Sequence, residues 1–133
     1  MREKELLEEA KRLWDLGDFY SAHEILEDIW RLFPKDDRAS RNCYQGLIRL
    51  AIAYNHYICG RRDSCLRVLK MSYEQLMNCD VVLRYVDVPY LLKFVDIHIK
   101  ALEEGGGIEE FPQLISSFAF LSLSSFIFFC KAD

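Results

Sequence analysis

The five cysteines (Cys43, Cys59, Cys65, Cys79 and Cys130) include no Cys-x-x-Cys pair, so neither a zinc knuckle nor a thioredoxin-like redox motif can be read from them. Free cysteine is among the most buried residue types, and the expectation is buried structural thiols in a reduced, cytoplasmic setting. No N-terminal export signal is expected either. Six of the first ten residues are charged where an apolar core would be required. There is no basic surplus either: 17 Lys and Arg stand against 21 Asp and Glu, a formal net charge of -4. Phosphate backbones reward an excess of positive charge, so no nucleic-acid partner is expected. The Glu-x-x-His repeat that marks metal centres in helical bundles is absent, and no metal is assigned. No serine or cysteine sits in the strand-turn-helix context of a hydrolase nucleophile.

What is present is a globular balance, 51% hydrophobic and 29% charged over 133 residues, enough to bury one core. Leu6, Leu7, Ala10, Leu13 and Trp14 recur at three- and four-residue spacing and predict an amphipathic helix over 2–16, ended by Gly17. Asp18 is placed to cap a second helix, in which Ala22, Ile25, Leu26, Ile29, Trp30 and Phe33 keep the period until Pro34. A third helix, from about Asp37 to Cys59, is apolar around most of its circumference and is therefore expected to be central. Gly60 closes it, and Asp63 or Ser64 opens a fourth helix carrying Leu66, Leu69, Tyr73 and Leu76. Residues 78–86 lack a helical period and read as a packed connection. Asp87 and Pro89 start a fifth helix with Leu91, Leu92, Val95, His98, Ile99 and Leu102 facing inward, closed by Gly105 to Gly107. The fold class is all-α: a compact bundle of two αα-hairpins plus a fifth helix and an apolar C-terminal segment.

The stretch Gly17-Asp18-Phe19-Tyr20-Ser21-Ala22-His23-Glu24-Ile25-Leu26-Glu27-Asp28-Ile29-Trp30-Arg31 resembles the Gly-Asp-x-x-x-Ala-His-Glu-x-x-Glu-x-x-Trp signature of the domain-of-unknown-function 309 family. Tyr44-Gln45-Gly46-Leu47-Ile48-Arg49-Leu50-Ala51-Ile52-Ala53-Tyr54-Asn55-His56 resembles the family's later helix, with Arg49 where a second Gln is usual. The resemblance implies a compact helical domain of intracellular prokaryotic type and brings no activity with it.

On a helical wheel Ala22, Ile29 and Phe33 define the buried face of the second helix. His23, Glu27 and Trp30 share one shoulder, and Glu24 points elsewhere. His23 and Glu27 are four residues apart, so imidazole and carboxylate can meet beside the Trp30 indole. In the third helix Gln45, Arg49 and His56 fall within about 40 degrees of one another. A stripe facing that shoulder would bring His23, Glu27, Gln45, Arg49 and His56 together. The candidate ligand-binding set is His23, Glu24, Glu27, Trp30, Gln45, Arg49 and His56. Such a set reads first as a hydrogen-bond network that docks the hairpins, then as a pocket for a small anion or peptide, and then as a metal-dependent or acid–base site. Neither substrate nor cofactor is named by these residues.

From Phe111 to Cys130 the chain is uncharged for 20 residues, six of them Phe. Residues 1–112 are read as the bundle and 113–133 as an apolar tail packed on it or on a partner, a second copy of the chain included. A membrane anchor is the lesser alternative, since a helix of that length would just span a bilayer. The functional expectation is a binding or protein-interaction module.

Overall fold

The structure, a computed structural model, describes residues 2–115 and 130–131. Five helices follow one another: α1 (Arg2–Asp15), α2 (Phe19–Trp30), α3 (Arg38–Ile58), α4 (Arg62–Leu76) and α5 (Val88–Glu103). No strand occurs among the described residues, and the protein is all-α. Three of the helices start on an aspartate whose carboxylate takes a free backbone N–H of the first turn. Asp18 accepts from Ser21, Asp37 from Ser40 and Asp87 from Tyr90, at 3.2, 3.2 and 3.1 Å. Gly17, Gly60 and Gly105 follow α1, α3 and α5 with positive φ, the left-handed conformation that ends a helix and costs glycine little.

Two helix boundaries differ from expectation. The second helix stops at Trp30 rather than running to Pro34, because Leu32 and Phe33 already bond back three residues, to Ile29 and Trp30. The fourth opens at Arg62, ahead of Asp63 and Ser64, with Arg61 as a cap that makes no side-chain bond. The left-handed Gly60 reverses the chain so tightly that the next turn begins at once.

α3 lies at the centre, packed along its length against α2 on one side and α4 on the other. Gly46 permits the close approach of α4. A Cβ there would lie 3.0 Å from the Leu76 side chain, and the Ser72 hydroxyl donates to the Gly46 carbonyl at 2.9 Å. The core is a continuous aliphatic layer capped by an aromatic cluster of Trp14, Phe19, Tyr54 and Phe111. Phe111 is centred 5.0 Å from both Phe19 and Tyr54, and the Trp14 indole donates to the Pro112 carbonyl at 2.8 Å. The chain beyond α5 therefore returns to the core, with Phe111, Gln113 and Leu114 buried.

Four of the five cysteines are paired, which corrects the expectation of free thiols. Cys43–Cys79 joins α3 to the connection after α4, Cys59–Cys130 joins the end of α3 to the chain's C-terminal part, and buried Cys65 is the free one. The partners stand 36 and 71 residues apart, so only the tertiary fold brings them together. No helix among the described residues is long and apolar enough to cross a membrane. Most of the Phe-rich run, residues 116–129, lies outside the described residues, so the reading of 113–133 as a tail falls largely there.

Candidate functional site

α2 presents His23 beside Glu27, with His23 Nε2 3.7 Å from Glu27 Oε1. The other ring nitrogen, Nδ1, donates to the Tyr20 carbonyl one turn back. In the neutral ring this leaves the lone pair on Nε2. The Tyr20 ring meets the imidazole edge-on at 4.7 Å, fixing its plane. At the facing end of α3, His56 Nδ1 accepts from Arg61 Nε at 2.8 Å, which leaves the hydrogen of a neutral His56 on Nε2.

Between these groups lies a small pocket of about 50 Å³, lined by Tyr20, His23, Ile52, Asn55, His56 and Arg61. A water needs roughly 10–15 Å³ by a comparable measure, so there is room for a group of a few heavy atoms and no more. Asn55 is the informative wall residue. It is 6% exposed, and its Nδ2 donates to the Lys131 carbonyl at 2.7 Å, which orients the amide. Its Oδ1 is buried and has no hydrogen-bond partner among the described residues. A buried acceptor left unpaired costs about 1–3 kcal/mol, so natural structures seldom keep one.

The remaining expected residues lie elsewhere. Gln45 and Arg49 do not join the imidazoles. Arg49 Nη1 donates to Gln75 Oε1 at 2.7 Å, and Gln75 Nε2 donates to Gln45 Oε1 at 2.9 Å, a network that ties α3 to α4. Helical-wheel angle was matched but height was not: seven residues separate Arg49 from His56, about 10 Å of helix rise. Trp30 is half-buried rather than enclosed, with the Arg41 guanidinium 3.8 Å from its ring centroid. Glu24 is exposed. Thus His23 and His56 share a pocket, Glu27 flanks it, and the other four serve other surfaces.

Asn55 and Arg61 escaped the sequence reading. Asn55 was legible as the one amide in the apolar run 50–58, and Arg61 as the first side chain after the Gly60 turn. Lys131 was missed because its position depends on a disulfide. Its ammonium bonds Asp18 Oδ2 and Ser21 Oγ, each at 2.8 Å. Burial would raise the Asp18 carboxyl, but Lys131 and Ser21 outweigh it and hold the group below the usual carboxylate range.

A second polar centre lies in the core. His98 on α5 is 4% exposed, and burial pushes its imidazole down to about 4, so the ring is neutral at pH 7. Burial likewise keeps the Tyr54 phenol protonated, and its hydroxyl donates to His98 Nδ1 at 2.8 Å. The ring also bonds the Glu110 backbone. His98 therefore bridges α3, α5 and the chain beyond α5, at the base of an open groove of about 350 Å³ lined by Phe94, Ile97, Ala101, Gly107, Glu109 and Glu110. Among the described residues no three His, Cys, Asp or Glu gather closely enough to hold a metal ion.

Residues 7–68, from α1 into α4, match the model of a family described as a domain of unknown function (DUF309). The chain is 46% identical over 78 residues to an uncharacterised protein of Aquifex aeolicus (strain VF5); the match covers 59% of this chain and 23% of the relative. The chain thus spans about a quarter of the length of that relative. No solved structure matches.

Proposed function

We propose that the chain, which over residues 7–68 matches the model of the domain of unknown function 309 family, works as a binding module whose recognition point is the pocket between α2 and α3. The observation that carries this reading is Asn55, whose buried Oδ1 has no partner among the described residues and which lines a cavity that also holds two imidazoles and a guanidinium. The wall offers a donor in the Arg61 guanidinium and an acceptor in Asn55 Oδ1. A small oxyanion that keeps one hydroxyl hydrogen, such as hydrogen phosphate, can accept from the guanidinium and donate to the amide oxygen. The matched stretch fills 23% of the Aquifex relative, which suits a module carried within a longer chain.

Thermal melts test the reading. Inorganic phosphate at a hundredfold excess over its Kd should stabilise the folded chain by about 2.7 kcal/mol, since a ligand of the native state alone shifts unfolding by mass action. Chloride at matched ionic strength should not. Arg61→Ala and Asn55→Ala should each abolish most of the gain. If both variants gain as much as the parent, the anion binds elsewhere.

The chain's partner forms part of the same proposal. Self-association runs through the Phe-rich segment, because an apolar run of that size left uncovered exceeds what soluble monomers expose. Truncation after Ile115 keeps the buried Phe111 and Leu114 and removes the run. The shortened chain should sediment as a monomer while the full chain sediments as an oligomer. An unchanged mass in solution overturns the assignment. A cytoplasmic setting also belongs to the proposal, with the two disulfides giving it a specific meaning: cytosolic disulfides in most organisms are transient or redox-sensing.

A further inference from the structure

We propose that the Cys59–Cys130 disulfide is a redox clasp that completes the α2–α3 pocket, so that the oxidised chain binds its anion more tightly than the reduced one. The inference rests on the reading of that pocket as a binding site and adds its regulation. Its basis is the geometry of two C-terminal residues. The disulfide fixes Cys130 to the end of α3. The next residue, Lys131, then reaches both helices that form the pocket. Its carbonyl takes Asn55 Nδ2 at 2.7 Å, and its ammonium takes Asp18 Oδ2 and Ser21 Oγ at the start of α2.

The carbonyl decides which way the Asn55 amide lies. With Nδ2 given to Lys131, Oδ1 is the amide atom left without a partner among the described residues. A pre-oriented acceptor binds better than one that must be ordered on binding. Once the covalent link opens, Lys131 is held by non-covalent contacts, and its ammonium is partly exposed, with 40% of the side chain in solvent. Such contacts are weak without the high local concentration a tether supplies.

The two disulfides differ in access. Cys43 and Cys79 are 4% and 1% exposed, whereas Cys130 is exposed. A dithiol reductant therefore reaches the clasp first. Its thiolate attacks Cys130 Sγ and forms a mixed disulfide, releasing Cys59 as the thiolate, which takes a proton. The reductant's second thiolate then attacks its own sulfur in that mixed disulfide and releases Cys130 as a thiol. Two electrons and two protons pass to the cysteines, and the dithiol leaves as a cyclic disulfide.

The test uses the full chain, dithiothreitol and inorganic phosphate. Timed alkylation read by mass spectrometry should label Cys59 and Cys130 well before Cys43 and Cys79. Calorimetric titration with phosphate should show affinity falling on the order of tenfold after the clasp opens, a usual size of coupling between sites. By the same linkage, phosphate should shift the dithiol–disulfide equilibrium of Cys59 and Cys130 toward the disulfide by the same factor. Cys130→Ser, which leaves the helical core untouched, should bind phosphate like the reduced parent. Equal affinity in the two redox states, or simultaneous opening of both disulfides, overturns the clasp and spares the pocket. Failure of phosphate to bind in either state overturns the pocket itself, and with it the control assigned to the clasp.

Discussion

Replacing Trp14 with alanine should lower the unfolding free energy by about 3–5 kcal/mol, the usual cost of truncating a large buried aromatic. Trp14 has no exposed surface, and its ring stands edge-on to Phe19 at 5.0 Å and to Tyr54 at 6.0 Å. The indole also satisfies the Pro112 carbonyl, so its removal leaves a cavity and an unpaired acceptor together. Urea denaturation of the parent and Trp14→Ala measures the difference. A loss below about 1.5 kcal/mol would mean that the surrounding rings collapse into the gap, and that α1 is not held through this residue.

The second large effect is a pH dependence set by His98. In the unfolded chain this imidazole titrates near 6.5, and in the folded chain burial lowers it to about 4. Below pH 6.5 the unfolded state takes up a proton that the folded state refuses. The stabilisation is therefore complete above 6.5, declines as pH falls toward 4, and changes no further below that. The whole step amounts to about 3 kcal/mol. His98→Gln keeps a neutral hydrogen-bonding group in the same place without a titration. The stability difference between parent and variant, followed by urea melts from pH 7.5 to 4, should fall by that amount across the window. A constant difference would show that the ring accepts its proton within the fold, through water that reaches it from the groove at Phe94 and Ile97.

Helix number and order were legible because four of the five helices announce themselves locally, through an aspartate at the start or a glycine after the end, the fourth follows directly on the Gly60 turn, and each carries an apolar stripe. The candidate site was half legible. The pairing of His23 with Glu27 is a property of one helix, and the nearness of His23 to His56 follows from docking the two most strongly patterned helices. Gln45 and Arg49 were misassigned because a wheel projects away the long axis. Their partner, Gln75, belongs to α4, whose outward face is polar and gave no hint of which residue would turn inward. The disulfides were illegible for a related reason: thiol pairing over tens of residues is decided by topology. Lys131 could not be placed beside Asp18 without first knowing that Cys130 meets Cys59.

The bond from Trp14 to Pro112 also bears on how the chain is made. A ribosome releases α1 first, yet the ring cluster around Trp14, Phe19 and Tyr54 is closed by Phe111, nearly a hundred residues later. Until that late segment emerges, the growing chain can pair α1 with α2 and α2 with α3 while its aromatic end stays open to solvent. Final consolidation is therefore postponed until the segment beyond α5 has emerged, and a stalled chain lacking it would expose the apolar surface that chaperones recognise.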